Sequence, residues 1–353
     1  MESRKIQKVG AATLTISLPK AWVSQRGLKK GDQVFLVEEG KALKVLPSDA
    51  TQERRSMASD YIIDSDLCDE PGMLERVIVG NYVLGRERII VRSSLRLRSE
   101  HQDEIRRSVR RLIGMGILEE SSAKVVLQCS INPANYPLDT LVKRLYNLGS
   151  TMLSEALEAL ATKDGSLADD AIKREDDADM MYWLILRLVL SAQMDEALVE
   201  QLGMRTRLEI PGNRAIARDL EAVADHACDI ANYVKQILDA DIKVPSSVLK
   251  AFKSLQDIIE QTYGHALGAL LSRDLKQANE AIRLAAGLAK RGQEIVRLVL
   301  KDVKDPRTVV LLRGIYASML LIGEYAAAIA VIAYNRYLEK PSNLSRPATA
   351  SVP

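Results

Sequence analysis

The second half of this chain repeats itself, and the repeat constrains the fold more than any other feature. Ala156-Leu-Glu-Ala-Leu-Ala-Thr-Lys-Asp164 matches Ala266-Leu-Gly-Ala-Leu-Leu-Ser-Arg-Asp274 at an offset of 110 residues. Ala171-Ile172 and Ala281-Ile282 keep that offset, as do Arg187-Leu-Val-Leu190 and Arg297-Leu-Val-Leu300. After a shorter connection, Arg214–Asp225 aligns with Arg313–Glu324 at an offset of 99. From about Pro137 onward the apolar residues follow the helical period with few breakers. The pattern predicts an all-α domain over 137–340, built from two homologous three-helix units at 138–238 and 248–338. The Pro/Ser/Ala-rich stretch 341–353 reads as a disordered tail.

Gly314–Tyr334 carries a single charge, Glu324, and is long enough to span a bilayer. It is also the counterpart of the amphipathic stretch 214–235, so a helix of the bundle, without membrane insertion, is expected. The chain has 353 residues and three isolated cysteines, Cys68, Cys129 and Cys228. These form neither a metal spacing nor a disulfide framework, which fits a reducing cytoplasm.

Charge is unevenly spread although the net is only +2. Residues 1–55 hold 11 Lys/Arg against 6 Asp/Glu, and residues 86–111 hold 9 against 4. The remainder is acidic, so an anionic partner is expected for the front of the chain and a cation for the back. Residues 5–46 alternate with period two: Leu14, Ile16 and Leu18 point one way, Thr13, Thr15 and Ser17 the other, as in a half-buried strand. Short strands follow at Val34–Val37 and Ala42–Leu46, punctuated by Gly27, Gly31-Asp32 and Glu39-Gly40. A module over 1–52 is too small to bury an adequate core alone and is expected to dimerise. The segment 53–136, beginning near Arg54-Arg55-Ser56, reads as a small α/β domain. Its strands fall at Tyr61–Ile63, Arg88–Arg92 and Lys124–Gln128, its helices near 72–84 and 99–114. Its arginines fit a solvated face, or else a second anion-binding surface.

Two pairs of carboxylates stand out in the helical region. Glu175 and Asp179 lie four residues apart within the apolar stripe of Tyr182, Leu186 and Val189. Glu221 and Asp225, also four apart, flank the stripe of Leu220, Ala224, Ala227 and Ala231. Like charges at this spacing repel on a helix, and burying them is costly unless a cation compensates. Two neighbouring helices would thus bring four carboxylates to one face, an oxygen-rich setting suited to Mg²⁺, Mn²⁺ or Fe³⁺. The plainer reading is a pair of solvated faces bridged to Arg174, Arg214 or Arg218. In the second unit the matching positions are Ala285, Ala289, Leu320 and Glu324. Near-complete joint loss is what a shared ligand predicts. His226 and His265 add no Glu-x-x-His pair, and the Asp-rich 64–70 lacks the pattern of a calcium loop. No Gly-rich phosphate loop or nucleophile elbow occurs, so no enzymatic reaction is expected.

Leu220–Ala231, preceded by Asn213-Arg214 and Arg218-Asp219, resembles the signature helix of the PhoU family, and Glu175-x3-Asp179 resembles its acidic motif. The resemblance covers about 137–338. It implies a helical protein that binds metal, often iron or zinc, at these motifs and restrains phosphate uptake. The second unit lacks the motifs that many relatives carry in both. Separately, Arg4–Gly10, Leu14–Lys20 and Gly27–Asp32 resemble the AbrB/SpoVT family of intertwined dimeric β-barrels that bind DNA. Arg4, Lys5, Lys8 and Lys20 match the positions where that family places basic side chains. Both modules in one chain resemble the archaeal-type phosphate uptake regulators. The implied protein is a cytoplasmic homodimeric transcription regulator; the alternative is an adaptor for a phosphate transporter or sensor kinase, with its barrel serving only to dimerise it.

Overall fold

The computed structural model describes residues 3–10, 13–39, 42–47 and 60–348. The boundary read at Arg54-Arg55-Ser56 and the end of the tail, 349–353, lie outside them. At the N-terminus β1 (Gln7–Val9) and β2 (Thr13–Thr15) pair antiparallel, with Lys8 opposite Leu14. A short helix, α1 (Lys20–Gln25), follows Pro19, and β3 (Val34–Glu39) pairs antiparallel with β4 (Ala42–Pro47). Among the described residues the two hairpins are separate two-stranded sheets, not a closed barrel. Leu14 and Ile16, expected half-buried, are 67% and 56% exposed, and Leu36 is 62% exposed. Two-stranded ribbons have no second layer to cover such side chains. The alternation is present, but its apolar face is uncovered within one chain.

The next region is a four-stranded sheet of order β5-β6-β8-β7, from β5 (Tyr61–Asp64), β6 (Arg88–Arg92), β7 (Met115–Glu120) and β8 (Lys124–Cys129). A crossover through α2 (Met73–Val83) makes β5 and β6 parallel; the other pairs are antiparallel. After β6 the chain forms α3 (Ser99–Arg111). Leu74, Ile78 and Tyr82 of α2 and Ile105 of α3 share a buried core with Ile89, Val91 and Leu127 of the sheet. The sequence pattern missed β7 because it is a mostly exposed edge strand with Gly116, two glutamates and a register shift between Ile117 and Glu119, all features that blunt an edge. The helix expected to reach 114 ends at Arg111 to make room for it. Most of the arginines between 86 and 111 are engaged within the chain. Arg86 lies 3.6 Å over the Tyr61 ring, Arg106 pairs with Glu120 at 3.5 Å, Arg107 with Glu75 at 3.1 Å, and Arg98 donates to the Cys68 carbonyl at 2.6 Å.

The helical region contains α4 (Leu138–Thr162), α5 (Gly165–Met194), α6 (Glu196–Gln201), α7 (Glu209–Asp239), α8 (Ser246–Ser272), α9 (Leu275–Ala286), α10 (Leu288–Asp302) and α11 (Pro306–Leu338). The repeat extends to its turns. Lys163 and Arg273, matching positions, both end their helices with positive φ, 61° and 54°. Each is followed by an aspartate cap: Asp164 accepts from the Ser166 N–H at 2.9 Å and Asp274 from the Lys276 N–H at 2.8 Å. The units differ in two ways: the single middle helix α5 corresponds to two helices, α9 and α10, divided at Gly287, and α6 has no counterpart in the second unit. The apolar α11 satisfies the length and composition of a membrane span, yet it packs along α7 and α8 with Leu312, Ile315, Met319, Ile322 and Ile329 buried.

One buried side chain ties the α/β region to the bundle. Arg187 of α5 donates from Nη1 to the carbonyls of Tyr82 (2.5 Å) and Arg86 (3.0 Å), and from Nη2 to that of Gly85 (3.1 Å). These carbonyls end α2, where unpaired acceptors and the helix dipole favour a cation. Replacing Arg187 by Met removes three charge-assisted bonds that join the two regions, an expected loss of about 3 kcal/mol. Urea denaturation followed by near-ultraviolet circular dichroism checks it.

Candidate metal centre

Two long helices of the first helical unit supply the acidic side chains. Glu175 and Asp179 are one turn apart on α5, Glu221 and Asp225 one turn apart on α7, and the two helices pack together. Ligand oxygens of Glu175, Asp179 and Asp225 all lie within 4.8 Å of one another, each residue half-buried. Glu221 is not in this group; its carboxylate is ion-paired with Arg218, one turn earlier on the same helix. The expected set of four is therefore three together with a fourth beside them.

The acidity of these groups reflects their surroundings. Burial first, then the charges of Asp179 and Asp176, raises Glu175 above the ordinary glutamate value. Burial also raises Asp179, against the pull of Arg111, and Asp225, with Asp179 adding to the effect. Glu221 is pushed up to about 7 by burial and Asp225, although Arg218 opposes this. Asp219, on the same helix, is raised to about 6 by burial. A site that makes carboxylates hold protons more tightly binds other cations by the same electrostatics.

The principal counter-ion of Asp179 is one that helical spacing did not indicate. Arg111, at the end of α3, pairs with Asp179 across the domain boundary, and its Nη1 lies 3.5 Å from Glu75 of α2. Arg174, expected as a partner, is held instead by a bidentate bond to Glu155, 2.9 Å at each nitrogen. Arg111 lies 68 residues before Asp179 in the chain, so only the fold brings them together. His226 stacks on Tyr325 with ring centroids 5.9 Å apart and lies 3.3 Å from Asp229.

The donor set fits a hard cation. Three convergent carboxylates suit Mg²⁺, Mn²⁺ or Fe³⁺. Zinc more often takes nitrogen or sulfur. In the second unit the same region is closed by packing. A Cβ on Gly323 would fall 2.2 Å from Leu288, and one on Gly292 would fall 2.1 Å from Tyr316. Apolar and aromatic groups thus occupy what carboxylates line in the first unit.

The N-terminal cations occupy another part of the molecule. Arg4 and Lys5 precede β1, Lys8 lies within it, Lys20 opens α1, and all four are exposed.

Comparison with known proteins agrees with this division. The PhoU domain model matches residues 142–234, the unit that holds the carboxylates. The model described as antidote-toxin recognition MazE, bacterial antitoxin, matches residues 7–53. The chain therefore joins a MazE/AbrB-type N-terminal domain to a PhoU domain. Among solved structures, PhoU from Pseudomonas aeruginosa is 20% identical, the match covering 56% of this chain and 93% of that one with a TM-score of 0.47. PhoU from Streptococcus pneumoniae is 16% identical, covering 57% and 94%, with a TM-score of 0.46. No curated protein matches the chain.

The raised acidity sets a pH dependence. Glu221 moves from 4.5 to about 7 on folding, so between those values the folded state holds a proton that the unfolded chain releases. This contribution is fully present below the unfolded value and is lost as pH rises through the folded one. Between about pH 5.5 and about pH 7.5, the urea midpoint of wild type is expected to fall more than that of Glu221→Gln. Parallel curves for the two proteins would contradict the assignment.

Proposed function

We propose that this protein is a cytoplasmic, homodimeric, DNA-binding regulator of phosphate uptake, not an enzyme, whose helical domain responds to a bound metal ion. The observation that carries this reading is the convergence of Glu175, Asp179 and Asp225 within a PhoU domain joined to an N-terminal domain of MazE/AbrB type. Iron, zinc, manganese and magnesium are the candidate ions, with the all-oxygen donor set favouring the harder ones. Glu221 takes part from beside the group, once Arg218 releases it. When bound, the ion supplies positive charge that the carboxylates otherwise draw from protons and arginines.

At the other end of the chain, the uncovered apolar faces at Leu14, Ile16 and Leu36 support dimerisation into a shared barrel. Arg4, Lys5, Lys8 and Lys20, present twice in such a dimer, would neutralise DNA phosphates. Contacts of this kind set affinity and position more than sequence preference. Signal passes when the helical domains change their arrangement and so alter the spacing of the two DNA-binding faces.

Two measurements test the reading. Gel shift on DNA upstream of phosphate-transport genes should show binding that weakens steeply with salt. In Lys5→Ala/Lys8→Ala/Lys20→Ala the slope of log affinity against log salt should fall by about 0.9 for each phosphate no longer neutralised. Absence of retardation at low salt would leave the adaptor role, in which the PhoU domain contacts a transporter or sensor kinase. Elemental analysis of purified protein should find metal in wild type and little in Asp179→Asn or Asp225→Asn; equal content would remove the carboxylates from the site.

A further inference from the structure

A cavity adjoins the carboxylates at the contact of the α/β region with the bundle. It measures about 500 Å³ and lies between α2, the end of α3 and α5. Val79 and Val83 line it from α2 and Trp183 from α5, while its charged lining is Glu75, Arg76 and Arg111. Glu75 is already engaged by Arg107 at 3.1 Å and by Arg111 at 3.5 Å. Among the described residues Arg76 makes no ion pair; its side chain's one hydrogen bond, to the Pro71 carbonyl, is long at 3.4 Å. Arg111 keeps a buried Nε without a hydrogen-bond partner, 3.9 Å from Asp176 and so beyond bonding distance. The cavity therefore combines an aromatic and aliphatic wall with two guanidinium groups that retain unused donors. Ligand sites at domain contacts have this make-up, an apolar lining with a few convergent polar groups.

We propose that this cavity binds a small phosphomonoester carrying a flat apolar group, the ring against Trp183 and the phosphate on Arg76 and Arg111. Two guanidinium groups match a dianionic, multi-oxygen acceptor better than a neutral or singly charged one. Because Arg111 is also the counter-ion of Asp179, a phosphate that draws it away leaves the carboxylates more negative. Ligand and metal ion then tighten each other's binding by equal factors. This coupling rests on the metal reading above; the cavity site itself does not.

The test uses the full chain with Trp22→Phe, which leaves Trp183 as the sole tryptophan of two. Phenyl phosphate should change Trp183 emission saturably, while phenol and inorganic phosphate should bind at least about tenfold more weakly, each lacking one half of the recognition. Arg76→Ala should weaken phenyl phosphate by about tenfold. Gly80→Leu should block it by filling the cavity, since a Cβ at Gly80 meets nothing within 4 Å and Leu is the better helix former. No saturable signal with phenyl phosphate, or a signal indifferent to Gly80→Leu in a protein with wild-type circular dichroism, overturns the site. Mn²⁺ should tighten phenyl phosphate several-fold in the Trp22→Phe protein and not in its Asp179→Asn derivative. Calorimetric Mn²⁺ binding with unchanged phenyl phosphate affinity overturns the coupling alone, whereas absence of Mn²⁺ binding overturns the metal reading and leaves the cavity site standing.

Discussion

Carboxylates brought together in a half-buried place must be compensated by positive charge, and in this protein part of that charge comes from another domain. Three sources are on hand at the contact of α5 and α7. Protons are one, since Glu221 is held near 7. Arg218, on the same helix as Glu221, is another. The third is Arg111, which belongs to a different domain. A metal ion bound as proposed would compete with all three for the same oxygens. Of the three, only Arg111 also links the α/β region to the bundle.

That contact has two kinds of fastening. Arg187 closes the end of α2 through backbone carbonyls, a structural bond that no soluble ion replaces. Arg111 is fastened to Asp179 and Glu75 by ion pairs, the former also hydrogen-bonded, and charge is what metal, protons and salt alter. The second helical unit shows the alternative. Leu288 against Gly323 and Tyr316 against Gly292 fill the corresponding region with apolar and aromatic groups, and Glu324 alone keeps a charge among the four matching positions.

Much of this was legible in the sequence, and the parts that were not share a cause. The internal repeat gave the long helices because each bears a strong 3.6-residue period, and its matching turns at Lys163 and Arg273 followed. The i, i+4 spacing placed Glu175, Asp179 and Asp225 on helix faces that meet. The pattern offered Arg218 as one plain partner but did not decide between it and a shared ion for Glu221, because a side chain with partners on two sides has no preference visible in spacing. Arg111 was read as part of a solvated face, since a contact between residues in different domains has no local period. The edge strand β7 was missed because edges are built from residues that disfavour strands, and the exposed faces of Leu14 and Ile16 show that alternation marks which side needs covering, not what covers it.

Crystals of the full chain grown with Mn²⁺ and measured at the manganese absorption edge test the central claim most directly. One anomalous peak bonded by Glu175, Asp179 and Asp225 is predicted, with the Arg111 guanidinium no longer on Asp179. A peak elsewhere, or a fully occupied ion with Arg111 still paired to Asp179, would contradict it.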